Sequence, residues 1–332
     1  MKALAREGKV VVVTTSAMII CVLVLSALYL LFASQLLSTS THSDIQGLIQ
    51  QLFQNPSLSL AYSQDRLMLS RIALVSIGAY LVTLMGLYAR TTRRLVVDFF
   101  SAVAHPLNLA VFRIVFFWMM FNMIDLETQV WYSQIPRILI DAPRGLDTLL
   151  PLLPINPTLV IITSVVFTAA CFTSMIGLFT RISTVTTLVA GMYALSIPQF
   201  YGKVNHMHHL LWFLAILAAS RCGDALSVDA MVAAWRRADK GQTEPPGPAR
   251  VYALPLRITW LLIGIIYFFP GWRKAWDGGV DWALSDNLKY HMYAKWFDLN
   301  SWTPAFRIDQ YPLLYQLSAV GTIVFELGFI VL

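Results

Sequence analysis

Charge is scarce in this 332-residue chain: Asp, Glu, Lys and Arg together make up 13% of it, about half the roughly 25% usual in soluble domains. With 57% hydrophobic residues besides, the composition excludes an ordinary soluble globular domain and identifies an integral membrane protein. Cysteine is rarer still. Cys21 and Cys171 fall inside apolar runs and Cys222 at the end of one, so no pair makes an extracellular disulfide framework, and all three read as buried thiols. Internal repeats and low-complexity tracts are lacking as well, which argues against a transporter built from duplicated halves. Acids are outnumbered by bases, 18 to 24, but the bases are scattered between apolar runs rather than gathered in a patch. Anionic lipid headgroups account for them, and nucleic acid is not a partner.

What the chain does have is long apolar segments, near residues 10 to 33, 68 to 89, 106 to 124, 157 to 180, 183 to 198, 206 to 220, 254 to 271 and 311 to 332. At 17 or so residues per crossing, they predict an all-α, polytopic transmembrane bundle of about eight helices. The first run is too long for a signal peptide's apolar core and reads as a retained helix. The fifth and sixth are short and joined by Tyr201-Gly202-Lys203-Val204-Asn205. A cytoplasmic N-terminus puts Arg90, Arg93 and Arg94, then Arg181, then the loop with Arg221, Arg236, Arg237, Lys240 and Arg250 inside. The segments 34 to 67, 125 to 156, 199 to 205 and 272 to 310 then lie outside.

The densest polar constellation is Asn205-His206-Met207-His208-His209 at the outer end of the sixth run. Imidazoles at a membrane boundary cost desolvation energy, which asks for a ligand-binding or chemical role. Metal is the weaker explanation. The chain holds 6 His, too few for the several histidine clusters of membrane di-iron sites, and on a helix His206 and His209 share a face that His208 leaves. Pocket lining is the better reading. The next run ends in Tyr267-Phe268-Phe269-Pro270-Gly271-Trp272-Arg273-Lys274. Lys274 is either an interfacial lysine in an aromatic belt with Trp272, Trp276 and Trp282, or a base whose proton affinity is lowered by burial beside Arg273. If the two runs pack side by side, His206 and Lys274 come within about 10 Å around one pocket. Arg113 lies inside an apolar run and calls for a structural ion pair, with Asp125, Asp229 or Glu326 as candidates. The Gly223-Asp224 and Asp229 cluster reads as a cap or turn for the helix that follows.

From about Ala102 onward the chain resembles the membrane domain of the vitamin K-dependent gamma-carboxylase family, the horizontally transferred transmembrane (HTTM) domain. The likeness rests on His105-Pro106-Leu107-Asn108-Leu109-Ala110-Val111-Phe112-Arg113, Gly177-Leu178-Phe179-Thr180-Arg181-Ile182-Ser183, Asn205-His206, Ser227-Val228-Asp229, and Tyr267-Phe268 through Arg273-Lys274, in that order. Residues 1–101 then form an N-terminal extension with two spans, and 102–332 the family domain. The chain stops inside an apolar run, as a truncated domain would.

The resemblance implies an enzyme that couples oxygenation of a reduced vitamin K-type hydroquinone by O2, giving an epoxide, to carboxylation of glutamyl residues with CO2, without a metal. Lys274 matches the family's hydroquinone-activating base; His206 and Asn205 match its active-site Asn-His pair. Arg273, His209, His208, Trp272 and Tyr267 would line the quinone pocket, opening on the non-cytoplasmic side. The partners implied are the lipid bilayer and a glutamate-containing peptide or protein. The sequence departs from the family at Arg273, where a lysine is usual, at Pro270, and in lacking a large lumenal C-terminal part. That absence favours a rival reading, a non-carboxylating quinone- or lipid-binding module of the same fold.

Overall fold

Helix starts in this chain are written in its prolines and short polar side chains. Pro106 opens α3 (Pro106–Met123), and His105 before it accepts the Leu107 amide at 3.2 Å. Pro157 opens α5 (Pro157–Ile176), with Asn156 accepting the Leu159 amide at 2.8 Å. A proline at the first helical position gives up an amide that has no partner there, and the cap satisfies another. The computed structural model describes residues 56–141, 154–201, 208–242, 244–299 and 304–331. Its remaining helices are α1 (Pro56–Leu87), α2 (Ala89–Ser101), α4 (Leu126–Gln134), α6 (Thr180–Ala194), α7 (His208–Ala219), α8 (Val228–Ala238), α9 (Arg250–Arg273), α10 (Gly279–Leu284), α11 (Asn287–Asp298) and α12 (Pro312–Gly328). Among the described residues there is no strand, only the isolated bridges Ala104 to Ala249 and Asp141 to Tyr201.

The described chain is all-α, and four of its helical stretches are long and apolar enough to cross a membrane: Arg66–Leu87, Pro106–Met123, Pro157–Ile176 and Arg250–Leu284. Fewer full-length spans appear than the apolar runs suggest. Of the run at 206 to 220, the described part is helical as α7, His208–Ala219, and residues 206 and 207 lie outside the described residues. The run at 183 to 198 gives α6, whose 15 residues stop before Leu195. The run at 10 to 33 lies outside the described residues. The seventh run goes the other way: helix continues past Lys274 to Leu284.

Two compact units emerge. The first, Arg94–Leu262, is built on successive packing of α3, α5, α6 and α7. Leu109, Phe117, Met120, Phe167, Cys171, Leu214 and Leu217 are fully buried there. In lipid, apolar contact between helices gains little over contact with acyl chains, so close fit and satisfied polar groups decide the packing. Gly191 supplies fit: a β-carbon there would stand 2.9 Å from the Phe167 ring. The buried hydroxyls of Thr184 and Thr187 bond the carbonyls of Thr180 and Ser183 at 2.8 and 2.9 Å.

The second unit joins the described residues up to Arg93 with Ile263–Leu332, so the second predicted span packs within the same compact unit as the C-terminal part. The reason is specific bonding by α1. Arg66 pairs with Asp281 at 2.5 Å. Arg71 donates from Nε to the Trp276 carbonyl at 3.0 Å and lies 5.3 Å over the Trp276 ring. Ser70 Oγ accepts the Val280 amide at 3.1 Å. Gly279 permits this approach, since its φ of +57° and a β-carbon 2.7 Å from Ser70 Oγ would both penalise any other residue. Further on, Asp309 is gripped by Arg307 and by the Tyr293 hydroxyl, at 2.8 and 2.9 Å, and the Arg307 guanidinium holds its carboxyl down at about 2.

Candidate functional site

α9 passes at Lys274 into a π-helical turn, Lys274–Gly278, before Gly279 ends it. Such turns place one extra residue in a helix and occur often at functional sites. Lys274 Nζ donates to Glu326 Oε1 of α12, and the two side chains are 25% and 12% exposed. Gly271 makes the approach possible: a β-carbon there would stand 2.7 Å from Glu326 Cβ. The Trp282 ring covers the ammonium at 5.1 Å. Glu326 Oε2 is buried and has no hydrogen-bond partner among the described residues. A buried acceptor left empty costs about 1–3 kcal/mol, so the site is incomplete as it stands. Chemically the pair is an ammonium–carboxylate ion pair with one carboxylate oxygen unfilled. Moving a proton from Nζ to Oε1 leaves a neutral amine and a neutral acid with no change in net charge.

Arg273 does not stand beside that ammonium as a repelling charge. Its guanidinium reaches Asp277 at 2.7 Å and is 76% exposed, so the charge next to Lys274 is a carboxylate. Trp272 stacks on Phe268 and Trp276, with centroids 6.2 and 5.4 Å away. Tyr267 packs against Phe325 of α12 and Phe329 just past its end, at 5.6 and 5.1 Å. Asn205 and His206 lie outside the described residues. His208 opens α7 and His209 is half-buried within it.

Arg113 is the most deeply buried charge described, at 0% exposure, and the ion pair expected of it is replaced by carbonyls. Nη1 donates to the Cys222 and Ala225 oxygens at 2.6 and 3.3 Å, and Nη2 to those of Leu226 and Met175 at 2.6 and 3.4 Å. The three candidate carboxylates are engaged elsewhere. Asp125 caps α4, accepting the Glu127 amide at 3.1 Å, and Glu326 holds Lys274. Asp229 accepts the amides of Phe179 and Thr180 at 3.0 and 2.6 Å, capping α6 from a distance. The cap of α8, the helix after the Gly223-Asp224 cluster, is Ser227, which accepts the Ala230 amide at 2.8 Å.

No protein-family model, curated protein or solved structure matches this chain. Phe179 and Leu226 both adopt φ of +46°, a conformation that costs a side-chain-bearing residue of order 1–3 kcal/mol unless the surroundings over-determine it. Here they do, since the Phe179 amide is held by Asp229 and the Leu226 carbonyl by Arg113. Gly177, at φ +71°, closes α5 where a β-carbon would strike Ser227 and lie 3.2 Å from Arg113 Cζ. Burial pushes the Cys222 thiol up, which leaves it an inert packing group. This knot welds the loop 221 to 229 onto the turn 177 to 181 and is structural.

Sequence reasoning missed Glu326 as the partner of Lys274. The one available signal was a lone acid inside an otherwise apolar C-terminal run, and its 52-residue separation from Lys274 leaves no local pattern.

Proposed function

We propose that this chain is a membrane enzyme of the vitamin K-dependent carboxylase type, in which Lys274 and Glu326 handle the proton that starts the reaction. The observation that supports this reading is the Lys274–Glu326 pair on a π-helical turn, with one carboxylate oxygen unfilled. A reduced naphthoquinone fits the residues present. Its phenolic hydroxyl is a donor for the empty Oε2, and the rings of Tyr267, Phe325 and Phe329 offer apolar faces. When bound, the quinol supplies that hydroxyl and the electrons that reduce O2. Lys274 hands its proton to Glu326 Oε1, and the hydroxyl, released from Oε2 as the acid becomes neutral, gives its proton to the freed amine lone pair. The Trp282 ring lies 5.1 Å from Nζ and favours its ammonium form once the proton is regained. Asn205 and His206 are assigned to positioning the reacting groups on the strength of the family likeness.

The test is product analysis of purified protein given vitamin K hydroquinone, O2, bicarbonate and a glutamyl peptide. The proposal expects epoxide together with carboxylated peptide. Quinol bound but recovered unchanged would assign the chain to the alternative, a quinone- or lipid-binding module. One observation favours that alternative: the Lys274 charge is already matched by Glu326, as in a purely structural pair. The proposed orientation has the N-terminus and residues 221 to 250 in the cytoplasm and residues 285 to 310 outside. Cysteines introduced at Gln242 and Asn287 should then label from opposite faces of the membrane; labelling from one face would contradict it.

A further inference from the structure

Three arginines outside the Lys274 site converge on one cavity of about 460 Å³ in the 94–262 unit, lined by Arg181, Arg221 and Arg237 with Thr180, Asp224 and Asp229. Both acids are already committed. Asp224 binds Arg221 at 2.8 Å and the Tyr252 hydroxyl at 2.7 Å, and Asp229 accepts two backbone amides. Arg181 is braced by the carbonyls of Ala218 and Ser220, at 3.1 and 3.0 Å. Arg237 makes no ion pair with a described residue. Thr180 adds an independent sign of a missing ligand: it is 6% exposed, yet its Oγ1 has no hydrogen-bond partner among the described residues. Gly223 keeps the space beside that hydroxyl open, since a β-carbon there would come within 2.7 Å of it. The cavity thus offers guanidinium donors and an unfilled hydroxyl, which is the donor set for a phosphate group.

A second cavity, of about 710 Å³, adjoins the first and shares Asp224, Ala230, Arg237 and Pro246 with it. Its other walls are largely apolar, with Leu107, Ile114, Ile176, Leu226, Val228 and Met231 among them. Arg237 stands where the two meet. The helix that carries it, α8, exposes Met231 at 71% and Trp235 at 74% beside Arg236 and Arg237, the pattern of a helix lying in a membrane interface. We propose that this is a binding site for an anionic phospholipid, with the phosphate among Arg181, Arg221, Arg237 and Thr180 and an acyl chain along the apolar groove. The joined polar and apolar cavities select a lipid phosphate over a soluble one, because a free phosphate leaves the groove empty.

The test uses the full chain, purified and delipidated in detergent and titrated with phosphatidylglycerol, phosphatidylcholine or inorganic phosphate, with binding read by native mass spectrometry and by the shift in unfolding temperature. The site predicts retention of phosphatidylglycerol, weaker retention of phosphatidylcholine, and no stabilisation by inorganic phosphate at matched concentration. Arg237→Gln, a partly exposed position on α8, should weaken phosphatidylglycerol binding about tenfold, as loss of one charge-assisted contact implies. Thr180→Val should weaken it by less, in a protein that unfolds at the wild-type temperature without lipid. Equal binding of the two lipids, equal protection by inorganic phosphate, or undiminished binding in a folded Arg237→Gln protein would each overturn the proposal.

Discussion

Arg113 and Lys274 are two cations set within apolar helices, and the protein treats them in opposite ways. Arg113 is wholly buried and meets four backbone carbonyls, so its charge is spread over fixed dipoles that cannot take a proton. Lys274 remains a quarter exposed and meets one carboxylate, a partner that can take a proton and that has a second oxygen empty. The first arrangement fixes backbone: it holds Leu226 at positive φ and ties loop 221 to 229 to the turn after α5. The second leaves a carboxylate oxygen unfilled beside the ammonium. Burial of a cation is thus no guide to chemistry by itself; the nature of the partner is.

The comparison breaks first at Arg113. Arg113→Met leaves four carbonyls without their donor and releases two strained residues, and should cost about 3–5 kcal/mol, read by unfolding of the purified protein in detergent. A loss below about 1 kcal/mol would mean that the knot does not depend on the guanidinium.

Much of this architecture could be read from the residues, and the exceptions have physical causes. Apolar runs located the helices, and the runs at 106 to 124 and 157 to 180 begin where α3 and α5 do. The length of α9 was misjudged because the polar residues from Arg273 to Asp277 look like an exit from the membrane, whereas Arg273 satisfies Asp277 one helical turn on and Arg71 meets the Trp276 carbonyl, so the helix continues. Arg113 was recognised as needing a partner, but backbone carbonyls leave no trace in side-chain identity. Glu326 stood among its candidates and belongs instead to Lys274; pairing across such a separation is set by helix packing, which no local period encodes. Lys274 itself was visible because an ionisable residue beside an apolar run is rare.

A smaller effect sharpens the Lys274 side of the comparison. Lys274→Met alone strands a largely buried carboxylate and should cost about 2–3 kcal/mol, while Lys274→Met with Glu326→Leu removes both charges and should return stability to within about 1 kcal/mol of wild type. Since that double variant should keep the fold and lose only the proposed proton relay, the most direct measurement is hydroquinone epoxidation by it, alongside its unfolding. The account predicts a protein of near wild-type stability that forms no epoxide under conditions where the wild type does. Retained epoxide formation in the double variant would contradict it.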